Sequence, residues 1–311
     1  MTLILQGILK EGMIYAIMAL GVYITYKILD FPDLSVDGTF PLGSAVTAML
    51  LVKDVNPYIA MIASMLTGAV AGMITGIIHV KFKVRDLLSG IIMMTGLYSV
   101  NYMIVGSRAN VSLDMKSSTV FSNPLTLGVF GSKSVEAPLD YMRDYKKIII
   151  LVLILIVLKI IIDLFMSSKR GYLLRAMGDN PIVVATLAKN GGNIKIMGLS
   201  IANALVALSG SLFCQYNSAF NITDGTGKMV IGLASVIIGV NIFGRLKFIK
   251  NTTAVTIGAI VYTACVTLAL DKFDAQVMKL VTAVLFLVVL VVGQVRIGSF
   301  DLFSKKGGEN K

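Results

Sequence analysis

Charge is what this sequence lacks most. Only 14% of its 311 residues are Asp, Glu, Lys or Arg, against about 25% in ordinary soluble domains. Histidine occurs once, at His79, and cysteine twice, at Cys214 and Cys265. Both cysteines fall inside apolar runs and read as small packing residues, so neither a disulfide framework nor a metal site is expected. The lone histidine stands beside Lys81 at the end of an apolar run and reads as inert. No Ser/His set, paired aspartates or zinc-ligand cluster is visible, which argues against an intramembrane hydrolase and leaves no catalytic residue to name. The phosphate-loop pattern GxxxxGK[ST] is missing as well. "GVFGSKS" near Phe130 has the wrong spacing, so the chain cannot bind ATP by that device. The first residues carry no basic region and no small-residue cleavage site, and the first apolar segment is therefore expected to be a retained helix.

What is present is apolar sequence in blocks. The composition is 56% hydrophobic and the mean hydropathy is +0.84. Runs 57–80, 87–106, 196–222 and 251–270 contain no charged residue, and 38–52, 229–244 and 280–295 are shorter runs of the same kind. Segments 7–26 and 148–166 are apolar with a few charges. A helix needs about 20 such residues to cross a bilayer, which gives about nine crossings or part-crossings. The expected fold is all-α: a single polytopic transmembrane domain over 1–311 with about 8–10 transmembrane helices, some short or broken.

The net charge of +11 would point to nucleic acid in a soluble protein. Here its distribution follows the cytoplasmic bias of Lys and Arg in membrane proteins, and no nucleic-acid partner is implied. Basic segments 81–85, 169–195, 245–250 and the tail 296–311 fall on one side if the spans alternate. The N-terminus is then outside and the C-terminus cytoplasmic. A loop over 107–147 lies outside despite Arg143, Lys146 and Lys147, and 167–195 forms a cytoplasmic region.

Two breaks interrupt the apolar pattern. "LDFPDLSVDGTFPLGSAV" (29–46) and "NITDGTGKMVIGLASVIIG" (221–239) each hold an Asp-Gly-Thr triplet before a short apolar segment. The topology puts Asp37 at the cytoplasmic mouth and Asp224 at the outer mouth. Opposite placement is what an inverted-topology repeat requires, and broken segments at matching positions point to a transport pathway. A chance match of a common turn dipeptide reads equally well. Asn203, Gly210 and Cys214 share one helical face that Asn217 continues. That face, with Ser44 and Thr47, either lines a solute route or joins helices by interhelical hydrogen bonds. Gly68, Gly72 and Gly76 at four-residue spacing read as helix packing.

The stretch "LLRAMGDNPIVVATLAKNGG" (173–192) looks soluble inside an otherwise apolar chain. Asp179 or Asn180 can cap a helix, Pro181 suits its first position and Gly191 its stop. A helix over 181–189 is too short to stand alone, so Val183, Val184 and Leu187 need a surface. That surface is either the chain's own face or a groove on a partner.

Three motifs, in order, resemble the permeases of ATP-binding cassette importers of the branched-chain amino acid and ribose type. "GYLLRAMGDNPIVVATLAKNGGNIKIMGLSIANALVALSGSLFCQY" is similar to that family's coupling region and following helix. "DLSVDGTFPLGSAV" is similar to its DLS-V-G segment, and "GLASVIIGVNIFG" to its late glycine-bearing segment. The closest resemblance is to the subgroup paired with lipoproteins that bind tryptophan or tyrosine, with departures at 189–192 and at Asn241. The resemblance implies a type II importer fold in the cell membrane, and a pathway for an aromatic or branched-chain amino acid. It implies ATPase subunits that bind ATP and Mg, a second permease copy, an extracytoplasmic binding lipoprotein and surrounding lipid, with no cofactor held by this chain. It also assigns ATPase coupling to Arg175, Asp179, Asn180, Pro181, Val183, Val184 and Leu187. The rival reading is an ion-coupled secondary transporter, which commonly needs ionisable residues inside its spans. Here such residues are few, and Lys159 and Asp163, one turn apart, read as a local pair.

Overall fold

The computed structural model describes residues 2–113, 119–122, 139–180, 184, 191–244, 249–270 and 280–291. Helix α1, Thr2–Val22, runs on into a π-helical turn, Tyr23–Ile28. Then follow α2 (Val36–Val52), α3 (Pro57–Lys81), α4 (Asp86–Ile104) and α5 (Leu139–Met166). After these come α6 (Lys169–Asp179), α7 (Gly191–Asn217) and α8 (Lys228–Ile238), the last extended by the π-helical Gly239–Phe243. Helices α9 (Asn251–Leu270) and α10 (Leu280–Val291) complete the described chain. Among the described residues seven helices are long and apolar enough to cross a membrane, and Val36–Val52 and Leu280–Val291 are shorter apolar helices. The chain is thus a polytopic helical membrane protein.

Local chemistry sets several ends. Asn56 accepts from the Tyr58 amide and Pro57 occupies the first turn of α3, where a missing N–H costs nothing. Ser168 caps α6 through the Gly171 amide at 3.3 Å. The apolar residues are arranged for lipid. Helix α1 is almost wholly buried at the centre of the bundle. On α5, by contrast, Leu153, Ile156, Val157, Ile160, Ile161 and Leu164 are exposed on a helix that contacts its neighbours by one side. In water such a face would be an aggregation site; in hydrocarbon it costs nothing.

Packing relates α1–α4 to α7–α10. Helices α1 and α7 run antiparallel, with Gly21 against Ala202 and Ile14 against Ser209. Helix α3 lies along α7 through Gly68, Gly72 and Gly76, and α9 lies correspondingly along α1, where Gly12 meets Ile260. Helix α2 packs on α3 through Gly43 and Ser64, as α8 packs on α9 through Ser235 and Gly258. Helix α4 closes on α2 at Gly38 and Leu97, as α10 closes on α8 through Leu285 and Phe286 beside Ala234 and Ile238. The same four-helix unit therefore occurs twice with opposite direction, the inverted-repeat arrangement of many transporters.

Two features depart from the sequence reading. A small antiparallel ribbon, β1 (Asn110–Ser112) with β2 (Ala219–Asn221), ties the segment after α4 to the one after α7. The two Asp-Gly-Thr triplets do not sit at opposite mouths. Asp37 accepts backbone hydrogen bonds from Gly227 and Met229, so the two breaks meet. The reason is that α2 begins only after the break 29–35 has climbed partway along α7, where Asp33 meets Asn203.

Candidate functional site

The breaks build one polar junction inside the bundle. Asp33, Ser35 and Asn203 have no exposed surface. Asn203 Nδ2 donates to Asp33 Oδ2 at 2.8 Å and to the Leu199 carbonyl at 3.1 Å. The Ser35 hydroxyl donates to Asn203 Oδ1 at 3.2 Å, and the Ser35 amide to Asp33 Oδ1 at 2.9 Å. A buried carboxylate survives only where donors surround it, and these neutral donors do that for Asp33.

Four residues on, Asp37 does something different. Its Oδ2 accepts from the Gly227 amide at 3.0 Å and its Oδ1 from the Met229 amide at 2.7 Å. The residue before α8 is Gly227, in the left-handed conformation at φ 82° and with no side chain to offer the helix. Asp37 therefore caps α8 from α2, and its negative charge suits the positive helix N-terminus.

Between them, Lys228 turns inward. It is only 8% exposed, and its ammonium donates to the Tyr15 hydroxyl at 2.7 Å. The ring centroids of Tyr15, Phe213 and Phe40 lie 4.4, 4.7 and 5.1 Å from Nζ. Three aromatic faces and a phenol replace the water that a lysine normally requires. Clefts flank this junction on both sides. One, of about 270 Å³, lies between α2 and α4 and is lined by Asp37, Met94, Tyr98 and Asn101. The other, of about 420 Å³, lies between α8 and α10 and is lined by Asp224, Lys228 and Thr282.

The expected pathway residues divide accordingly. Asp37 and Asp224 line clefts. Ser44 donates to the Gly210 carbonyl and Thr47 to the Ser211 hydroxyl, each at 2.7 Å and buried, tying α2 to α7. Asn203 belongs to the Asp33 network, and Asn217 is exposed at the end of α7. Sequence reasoning missed Asp33, Ser35, Asn101, Lys228 and the cage of Tyr15, Phe40 and Phe213. Lys228 had one available signal, a lone cation directly before a short apolar run after a glycine.

A second polar region lies where α1, α5, α6 and α9 end or begin. Helix α6 is seated by buried Leu174, which with Leu29 packs against Gly198, and by Gly178, which lies against the Ile28 carbonyl. Arg175 and Asp179 line a cleft of about 480 Å³ with Lys27, Asp163 and Lys250. Asp163 accepts from Thr252 at 2.6 Å and pairs with Lys159 at 3.1 Å and Lys250 at 3.3 Å. The local pair read from spacing is present, with a third partner that spacing could not show. His79 Nδ1 meets the Val84 carbonyl at 2.9 Å and Nε2 meets Lys195 at 3.2 Å. A carbonyl only accepts, so Nδ1 carries the hydrogen and Nε2 is left to accept from the ammonium. The histidine is thus a strut between α3 and α7.

Of the coupling residues, Arg175, Asp179 and Asn180 are exposed around the end of α6. Val184 is 0% exposed, buried within its own chain. Pro181, Val183 and Leu187 lie outside the described residues.

Residues 4–292 match the family model described as a branched-chain amino acid transport system permease component. The chain is 38% identical to a tyrosine transport system permease protein of Clostridioides difficile, over 94% of this chain and 92% of that one. It is 26% identical to the ribose import permease protein RbsC of Escherichia coli, over 76% and 68% of the two chains. With a probable branched-chain amino acid transport permease protein LivH of Methanocaldococcus jannaschii it shares 25% identity over 80% and 76%. No solved structure matches the chain. A match over almost the whole chain, on a membrane bundle built as an inverted repeat around two broken helices, places this protein in the family of branched-chain amino acid transport system permease components.

Proposed function

We propose that this chain is the membrane subunit of an ATP-driven importer that carries a free amino acid, with tyrosine or a similar hydrophobic amino acid as the solute. The observation that carries this reading is the 38% identity to a tyrosine transport permease over nearly the full length of both chains. Energy comes from separate ATPase subunits, solute from an extracytoplasmic binding protein, and two permease copies form the pathway. The N-terminus lies outside and the C-terminus in the cytoplasm. In support, His79 meets Lys195 at one end of the bundle and Lys250 meets Asp163 there. Lys147, from the expected outer loop, sits instead over the Tyr216 ring near the far end of α7.

Coupling runs through α6 and the connector after it. Gly178 presses on Ile28 and Leu29, and Leu174 packs beside Leu29 at Gly198, where the break that carries Asp33, Ser35 and then Asp37 begins. A shift of α6 on closure of the ATPase dimer would therefore act on the junction through a chain of direct contacts, as alternating access about a central site requires. The test is ATP-dependent uptake of labelled L-tyrosine by proteoliposomes holding the permease, its ATPase and its binding protein. Uptake that follows an ion gradient with the ATPase left out would overturn the proposal.

A further inference from the structure

Asn101 on α4 has no exposed surface, and its Nδ2 donates to the Gly38 carbonyl at 3.0 Å. A carbonyl can only accept, so the amide's orientation is set: nitrogen toward Gly38, oxygen turned away. Among the described residues that Oδ1 has no hydrogen-bond partner. Buried amide oxygens are seldom left so, because losing water without gaining a donor is costly. Asn101 lines the 270 Å³ cleft between α2 and α4, so the side chain that lacks a donor stands in the wall of that cleft.

The charge of the cleft narrows what that donor can be. Among the described residues its lining includes one carboxylate, Asp37, and no Lys, Arg or His. Each Asp37 oxygen accepts one backbone amide and retains capacity for another donor. The α8 amides meet Asp37 from one side only, and an ammonium brings positive charge and three N–H donors to the acceptor sites that remain. Pro41, Met94 and Tyr98 supply apolar and aromatic wall for the rest of a solute. The volume is below the roughly 300–1,000 Å³ of sites for drug-sized ligands, which suits a small solute.

We propose that this cleft is a subsite for the ammonium group of a free amino acid in transit, with Asn101 Oδ1 and Asp37 as its acceptors. The assignment rests on the transport reading above and adds to it where the solute's amine is held.

The test uses the full permease in lipid nanodiscs with Thr95→Cys, an exposed residue of the cleft, in a Cys265→Ser background. Cys265 is exposed and would react; Cys214 is buried. Maleimide labelling is timed with each standard L-amino acid except cysteine, whose thiol consumes the reagent, at millimolar concentration, and with the deaminated analogue of any that protects. At least one free amino acid should slow labelling severalfold, its deaminated analogue should not, and Asn101→Leu should abolish the protection. No protection by any amino acid, or equal protection by the deaminated acid, overturns the assignment. The free-versus-deaminated comparison keeps Asn101 native and so holds even if Asn101→Leu misfolds. ATP-driven uptake is measured in parallel. Uptake without protection sinks the subsite alone, and protection without ATP-driven uptake sinks the importer reading alone.

Discussion

The Asp37 carboxylate on α2 lies 2.7 Å from the backbone nitrogen of Met229 on α8, joining the two broken helices of the inverted repeat at their starts. Neither helix could hold this geometry alone. Helix α8 has a glycine where a capping side chain would stand, and Asp37 fills that role from across the bundle.

Removing the cap should therefore weaken the fold. Asp37→Ala is expected to cost about 0.5–2 kcal/mol, the range for loss of an N-cap side chain. Thermal unfolding of the purified permease reads this directly. An unchanged midpoint would show that α8 does not depend on Asp37.

Lys228 and Tyr15 should behave as a coupled pair. Tyr15→Phe leaves a buried ammonium without its oxygen acceptor and should cost about 1–3 kcal/mol. Lys228→Met removes the charge and keeps the stem, so the fold should be little affected, and adding Tyr15→Phe to it should cost little more. Additive losses in the double variant would show that the 2.7 Å bond carries no coupling energy.

Gly72 and Gly96 offer a contrast in space. A methyl group at Gly72 would overlap the Leu199 backbone, whereas at Gly96 nothing lies within 4 Å. Gly72→Ala should destabilise by about 1–3 kcal/mol through overpacking. Gly96→Ala should be neutral or gain up to about 1 kcal/mol from helix propensity. Melting curves that rank the two variants the other way would disprove the close α3–α7 contact.

In the coupling region, Val184 and Leu187 should separate. Val184→Asp places a charge in a buried site and should reduce the yield of folded permease. Leu187→Asp should leave yield intact and abolish transport while ATP hydrolysis continues. Normal transport by Leu187→Asp would remove 181–189 from the coupling route.

Orientation can be read by labelling. In a Cys265→Ser background, a cysteine at Ser118 should react with an impermeant thiol reagent from outside, and one at Asn190 only after the membrane is opened. The reverse pattern would place Arg175 and Asp179 on the outer face and end their coupling role.

The spans were legible because crossing a bilayer imposes a condition on composition that any window of sequence displays. The run 251–270 corresponds to α9 residue for residue. Where charge is tolerated at a helix end the same rule errs, and α7 begins at Gly191, ahead of the apolar run that starts after Lys195. The breaks at 29–46 and 221–239 were visible from Pro, Gly and Asp, but their meeting was not. That depends on where each short helix starts relative to α7, which no local pattern encodes.

By itself the sequence determined that this chain crosses a membrane many times, holds no GxxxxGK[ST] pattern and carries two interrupted segments. Hydropathy, motif spacing and turn residues are properties of contiguous residues, so each can be read without a fold. Only the tertiary structure decided that Ser44 and Thr47 bind helices together while Asn101, Asp37 and Lys228 face clefts or a cage. Those roles rest on partners far away in the chain: Asp37 with Met229 across 192 residues, Lys228 with Tyr15 across 213. A polar side chain among apolar neighbours looks the same in sequence whether it joins two helices or faces a solute, and packing alone separates the two.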